Sequence, residues 1–177
     1  MKPADVVVHA LGVLLAGITH FGVAASPAGA DPLKIEAIVS TKEQTRLDFS
    51  DGSGHFVAMV RREGKATGQG LLSGTTVNEY GRHDVIPGMS GDGSGYLVFA
   101  LPQGDVAHIK WQVRAVFVPG PDGKVKVLDN GVWEVVGGTG KFKGLKGAGT
   151  LNLKSLSPTD RNFILQGELS PGTADKK

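Results

Sequence analysis

A cluster of glycines between two strand-like segments constrains this chain more than any other feature. Seven glycines lie from Gly131 to Gly149, and Phe142 is the only aromatic residue between Gly137 and Gly149. Glycine is favoured where the backbone takes a positive φ or passes close to another segment. The pattern predicts a structural corner between two strands, in which Phe142 closes one end of the fold. The predicted corner residues are Gly137, Gly138, Gly140, Phe142 and Gly144.

The same glycines match neither of the common nucleotide-binding motifs. A P-loop needs Gly-Lys followed by Ser or Thr, whereas Gly140-Lys141 is followed by Phe142. A dinucleotide fingerprint needs its third glycine three residues after the second, but Gly144 comes one residue too late. The segment that follows is also strand-like, where both motifs need a helix. The cluster is therefore interpreted as a corner and not as a phosphate site.

Composition favours one all-β domain. Of 177 residues, 27 are glycine, which is about twice the usual share of roughly 7%. Lysine and arginine are scattered among acidic residues and the net charge is +2, so we predict no nucleic-acid partner.

The absence of cysteine excludes thiolate chemistry. Because His55, His83 and His108 lack metal-ligand spacing, we predict no metal and no cofactor.

The first thirty residues differ from the rest of the chain. Residues 6–25 are almost entirely apolar, and Ala28-Gly29-Ala30 fits the small-x-small rule for signal peptidase. We predict a signal peptide over 1–30 and a periplasmic or secreted protein. The alternative is a retained membrane anchor, since about 20 apolar residues can cross a bilayer.

The remaining chain reads as short strands with alternating apolar and polar residues. Residues 65–80 are interpreted as one long bent strand, and the glycine-rich residues 80–95 as a loop at the mouth of the fold. The tail 170–177 is predicted to be disordered. About eight strands at short spacing indicate a closed barrel or a sandwich. Strands are predicted over 33–37, 55–62, 65–80, 95–101, 106–118, 124–128, 132–136, 147–154 and 162–169.

Residues 131–169 resemble the C-terminal third of an allene oxide cyclase. The segment contains the V-x-GG-[ST]-G-x-F-x-G-x-x-G signature of allene oxide cyclase and dirigent barrels, then Ser157-Pro158 and a final aromatic strand. Residues 95–114 resemble that family's central strand pair more loosely. The resemblance implies a small antiparallel eight-stranded β-barrel over 31–169, with an apolar lumen for a hydrophobic molecule. It also implies a homo-oligomer, often a trimer.

The resemblance does not extend to the family's active sites. The plant cyclase site is associated with a Glu, an Asn and a Cys, and this chain has no Cys. Glu36 and Glu43 near the first strand do not lie in the family's tyrosine-glutamate-x-asparagine context. The paired aspartates and arginines of dirigent proteins have no matching positions. The resemblance therefore implies the fold and the cavity, and not the activity.

Glu134 is the candidate catalytic residue. Trp133 and Glu134 are adjacent in a strand, so their side chains point to opposite faces. With Trp133 outside, Glu134 lies in the lumen, where loss of solvent raises the pKa of a carboxyl group and suits it to acid–base chemistry. With Trp133 inside, Glu134 is a solvated surface residue. The sequence leaves both orientations open.

The predicted ligand-binding residues lie on the central strands and at the predicted mouth. Tyr80 and Arg82 precede His83 and Asp84 at the start of the glycine-rich segment, a cluster that is either a mouth site or a solvated loop. Trp111 lies on the apolar face of its strand and is either a core or a ligand-binding residue. The full predicted set is Tyr80, Arg82, Tyr96, Trp111 and Trp133.

Three functions are compatible with these patterns. The first is an exported barrel that binds or orients a small hydrophobic ligand in its lumen, which needs a shaped, dry cavity and no catalytic group. The second is a cyclase or isomerase that uses Glu134 or the cluster from Tyr80 to Asp84. The third is a non-enzymatic assembly protein whose barrel is filled by its own side chains.

Overall fold

The chain folds into a closed antiparallel β-barrel of eight strands, as predicted. This computed structural model describes residues 29–171. Residues 1–28 of the predicted signal segment, and 172–177 of the predicted tail, lie outside the described residues. The strands are β1 (Asp31–Asp48), β2 (Phe56–Gln69), β3 (Thr76–Ile86), β4 (Ser90–Ala100), β5 (Val106–Pro119), β6 (Val125–Gly138), β7 (Lys146–Ser155) and β8 (Asp160–Ser170).

Alternating side chains build the barrel wall. Each strand pairs with the next, and β8 pairs with β1 to close the sheet, with Ile35 opposite Leu165. In β5, Ala107, Ile109, Trp111 and Val113 are buried. The polar residues between them lie on the outer face, because successive side chains in a strand point to opposite sides.

Two sequence interpretations between residues 65 and 95 are wrong. Residues 65–80 form two strands, because the chain turns back between Gln69 and Thr76. Gly70 and Gly74 take positive φ values of 114° and 82° there, and the Thr75 hydroxyl donates a hydrogen bond of 2.7 Å to the Leu72 carbonyl. These glycines therefore make a turn and not kinks within one strand.

Residues 80–95 are not a loop but most of the β3–β4 hairpin. The turn is confined to residues 87–89, where Gly88 has φ = 77°. Gly91, Gly93 and Gly95 continue β4 and pair with β3 throughout. Because they are spaced two apart, all three lie on the same face of the strand.

The two ends of the barrel differ. We call the end that holds the connections 70–75, 101–105 and 139–145 the closed end, and the end that holds 49–55, 87–89, 120–124 and 156–159 the open end. Apolar side chains fill the lumen of the closed half. The largest side chains of this core are Trp111, Trp133, Phe99, Phe142 and Phe163. Most of the apolar core therefore lies in one half of the lumen.

The glycine corner lies at the closed end. Phe142 is fully buried within a short 3₁₀ turn, Gly140–Phe142. Gly140 and Gly144 have φ values of 50° and 74°, a region that other residues seldom adopt. A Cβ on Gly138 would lie 2.4 Å from the Phe142 carbonyl oxygen, whereas one on Gly137 would meet nothing within 4 Å. The backbone therefore favours glycine at three of the four predicted positions, namely Gly138, Gly140 and Gly144.

Candidate functional site

The open half of the lumen contains a cavity of about 510 Å³. Aliphatic and aromatic side chains from β2, β3, β5, β6 and β7, with Pro87 and Pro158 from two turns, form most of its wall. Five titratable or charged side chains, those of Arg46, Arg62, His83, Asp129 and Arg161, lie among them. The apolar lining residues are Phe56, Ala58, Val60, Val85, Pro87, Ala115, Phe117, Val127, Leu153 and Pro158.

A buried ion pair forms one side of the cavity floor. Arg62 on β2 and Glu79 on β3 are register partners that both point inward. The Arg62 Nη1 donates to both Glu79 carboxylate oxygens, at 2.9 and 2.7 Å. The Arg62 Nε donates to the Thr41 hydroxyl at 3.1 Å. Removal of one member of such a pair leaves an uncompensated buried charge, which costs about 3–5 kcal/mol.

His83 extends this pair toward the cavity. Its Nε2 lies 3.2 Å from the Glu79 Oε1 and 3.2 Å from the Arg62 Nη1. Its ring centroid is 5.7 Å from that of Trp111, which in turn packs edge-on against Phe163 at 5.2 Å. Polar contacts on one side and ring packing on the other thus fix the imidazole in a single orientation.

Asp129 and Arg161 lie on the opposite side of the cavity, on β6 and β8. Burial raises the pKa of Asp129 to about 6, although the charges of His83 and Arg161 act in the opposite direction. The Asp129 Oδ1 is buried and has no hydrogen-bond partner among the described residues. A buried acceptor without a partner is costly and is a common feature of sites that bind a ligand or water.

Arg161 is held by its own turn. Its Nη1 donates to the carbonyl oxygens of Ser157 and Asp160, each at 2.8 Å. Burial, together with the repulsion of Arg62, lowers its pKa. Arginine nevertheless stays protonated in proteins, so this guanidinium is a fixed cation at the edge of the cavity.

Glycines on β3 and β4 make room for the indole ring of Trp111. A Cβ on Gly81 or Gly93 would lie 3.1 Å from the Trp111 ring. These positions face the lumen, and in any other residue they would carry side chains into it. At Gly81 and Gly93 the wall is therefore bare backbone, and Trp111 occupies the space beside it. The buried Trp111 Nε1 has no hydrogen-bond partner within residues 29–171.

Glu134 has the solvated orientation of the two that the sequence left open, and not the lumen position that a catalytic role needs. Its side chain is 58% exposed on the outer face, 3.7 Å from the Lys110 ammonium. Trp133 points inward, is 2% exposed and donates its indole N–H to the Gln166 carbonyl at 3.2 Å. Trp133 lies inside and Glu134 outside because burial of the indole ring removes more apolar surface from water.

Of the predicted ligand-binding residues, the structure places only the two tryptophans inside the barrel. Tyr80 and Tyr96 are cross-strand partners on the outer face, and both are about half exposed. Arg82 is also outside and pairs with Asp84 at 2.6 Å. Within the predicted cluster from Tyr80 to Asp84, His83 alone points into the lumen, because strand alternation separates it from its neighbours.

Sequence reasoning missed Arg62, Glu79, Asp129 and Arg161. A signal for two of them is present in the sequence. Arg62 continues the inward face of Ala58 and Val60, and Glu79 continues that of Val77. A charged residue in phase with an apolar face indicates a paired, buried group. Arg161 lies at the start of its strand and Asp129 falls between two predicted strands, so neither carries a comparable signal.

Within residues 29–171, no group of three or more His, Cys, Asp or Glu side chains is arranged to hold a metal ion. The same part of the chain contains no helix long and apolar enough to cross a membrane. Comparison of the chain with protein-family models and with curated proteins finds no match.

Proposed function

We propose that this protein binds a small amphipathic molecule in the open half of its lumen. The apolar body of the ligand lies against Val60, Val85, Ala115 and Leu153. Its polar group lies among the charged side chains of the cavity. The proposal includes export to the periplasm or outside the cell, which follows from the sequence of residues 1–30, and assembly into a homo-oligomer, which follows from the family resemblance.

The observation that carries this proposal is the cavity itself. Its volume of about 510 Å³ falls within the range of roughly 300–1,000 Å³ that is typical of small-molecule sites. Such sites combine an apolar wall with a few polar groups that fix the orientation of the ligand. The unpartnered Asp129 Oδ1 supplies an acceptor for a hydroxyl or amine of the ligand. A lumen with this much space also argues against a barrel filled by its own side chains.

The test is a fluorescence titration with N-phenyl-1-naphthylamine, an apolar probe that becomes brighter in a dry site. Ala115→Trp fills the cavity from β5, and Ala148→Trp makes the same change on the exposed outer face of β7. We expect saturable binding that weakens at least about tenfold in the first variant and stays unchanged in the second. Absence of saturable binding, or equal binding by both variants, would refute the proposal.

A second function, an isomerase that acts by proton transfer, is favoured by one observation. Asp129, whose pKa is raised to about 6 by burial, lies in the lumen within electrostatic reach of His83. A general base works best when its pKa is close to the working pH. In a β,γ-unsaturated ketone, the Asp129 carboxylate would take a proton from the α carbon and so form a dienolate. It would then return that proton to the γ carbon, which moves the double bond into conjugation with the carbonyl group, so no co-reactant is needed.

A suitable probe is cyclohex-3-enone, because its conversion to the conjugated cyclohex-2-enone is seen directly in the ultraviolet. The carboxylate is the active form, so the rate is expected to rise with pH through about 6. Asp129→Asn should abolish the conversion while naphthylamine binding persists. Glu134→Gln, on the outer face, should change neither. Turnover that survives in Asp129→Asn would remove Asp129 from this role.

A further inference from the structure

Large apolar residues of the connections are buried at the closed end of the barrel and exposed at the open end. At the closed end, Leu72, Phe142 and Leu145 are tucked into the core and are at most 3% exposed. At the open end, every connection or the strand end beside it carries a large apolar residue that faces solvent. We call the following set the apolar rim: Leu47, Phe49, Met89, Val125 and Leu156.

The apolar rim surrounds the mouth of the cavity. Met89 and Leu156, at the tips of the β3–β4 and β7–β8 turns, are 70% and 53% exposed. Leu47 and Phe49 lie on the β1–β2 hairpin, and Val125 begins β6 after the β5–β6 turn. Single exposed apolar residues are common on protein surfaces, but a set gathered around one opening marks an interaction site.

The charges beside the rim are largely neutralised by one another. Arg46 pairs with Asp48 at 2.7 Å, and Arg114 pairs with Asp92 at 2.7 Å. Lys124 lies 3.5 Å from Asp122. The exposed apolar side chains of the rim are therefore surrounded by ion pairs with little net charge. That pattern suits a partner that is neutral overall and apolar just below its surface.

We propose that the apolar rim docks on the surface of a phospholipid bilayer with zwitterionic headgroups, so that the mouth of the cavity faces the lipid. Separate tips on four connections can each penetrate the headgroup layer, and Leu, Met and Phe are suited to that depth. An amphipathic ligand would then pass between membrane and lumen without crossing bulk water. This last step rests on the proposed ligand-binding function, whereas the docking itself does not.

The absence of cysteine from the chain permits a site-specific test. Met89→Cys and Leu156→Cys place a single thiol on the rim for an environment-sensitive fluorophore. Gln103→Cys, in a closed-end turn, and Ile38→Cys, on the exposed outer wall, are matched controls. The full chain is mixed with phosphatidylcholine vesicles. Because each label reports on its own site, binding of vesicles through residues 6–25 does not imitate rim insertion.

Vesicles are expected to raise the emission of both rim labels by at least about twofold and shift it to the blue, while the control labels stay unchanged. Salt between about 0.05 and 0.5 M should have little effect, because the docking is apolar. Unchanged rim labels, or an equal response at Gln103→Cys, would overturn the proposal. So would a rim response without vesicles that grows with protein concentration, because that outcome identifies a second copy as the partner. Naphthylamine binding in vesicle-free buffer tests the ligand site separately.

Discussion

Asp129→Asn is expected to stabilise the protein at neutral pH. The substitution keeps the shape of the side chain and removes a charge that burial disfavours. Burial raises the pKa of Asp129 from 3.8 to about 6, after the opposing effects of His83 and Arg161. Each pKa difference of one corresponds to about 1.4 kcal/mol, so the upper limit is about 3 kcal/mol. Because solvent still reaches part of the carboxyl group, we expect a gain of about 1–2 kcal/mol.

The sign of this effect depends on pH. The folded protein holds the Asp129 proton more tightly than the unfolded chain, so the wild type loses stability as the pH rises through about 6. The asparagine variant has no such loss. Its advantage should be complete near pH 7.5, should shrink as the pH falls below about 6 and should be absent once the pH is well below 3.8.

Urea denaturation at several pH values measures this difference directly, through the free energy of unfolding of each protein. Asp92→Asn is the control, because its carboxylate is exposed on the outer face and its removal should change stability by less than about 0.5 kcal/mol. An Asp129→Asn variant that is less stable than the wild type at neutral pH would refute the reasoning. It would mean that attraction to Arg161 and His83 exceeds the cost of burial.

Two further predictions concern the closed end, both measured by urea denaturation. Phe142→Ala should lower the free energy of unfolding by about 3–5 kcal/mol because the ring is fully buried. The control Lys141→Ala, at an exposed residue of the same turn, should lower it by less than about 0.5 kcal/mol. Equal stability of the two variants would contradict a closing role for the ring. Gly138→Ala should lower the free energy of unfolding by more than about 1 kcal/mol because its Cβ would clash with the Phe142 carbonyl, while Gly137→Ala should be neutral. A Gly137→Ala variant less stable than Gly138→Ala would show that this contact does not determine the conformation of the corner.

The barrel could be predicted because local pattern and global fold agree in most strands. In β5, a single alternation from Ala107 to Phe117 fixes both the strand and its inward face. The corner could be predicted because Phe142 is the only aromatic residue among closely spaced glycines. The prediction failed where glycine plays a different part. Gly91, Gly93 and Gly95 indicate a loop by composition, but their spacing of two is that of one strand face.

The candidate site was harder to predict, because it depends on which strands meet across the lumen. Arg62 and Glu79 are partners through the β2–β3 register, which the mistaken long strand over 65–80 concealed. Asp129 reaches the cavity because β6 runs unbroken from Val125 to Gly138, whereas the sequence suggested two separate strands there. Proximity between Asp129, His83 and Arg161 is a property of barrel closure, and no local pattern encodes it.

The division of the lumen into a packed half and a hollow half separates two kinds of evolutionary constraint. Changes around Phe142 or Leu165 disturb the packing that holds the barrel together, so few substitutes are tolerated there. Changes at Val85 or Ala115 alter the shape of the hollow half, where neighbouring space absorbs the difference. Substitutions in the open half of such a barrel can change its ligand while the packed closed half keeps the fold stable. Diversification within descendants of this chain should therefore be concentrated between the cavity and its mouth.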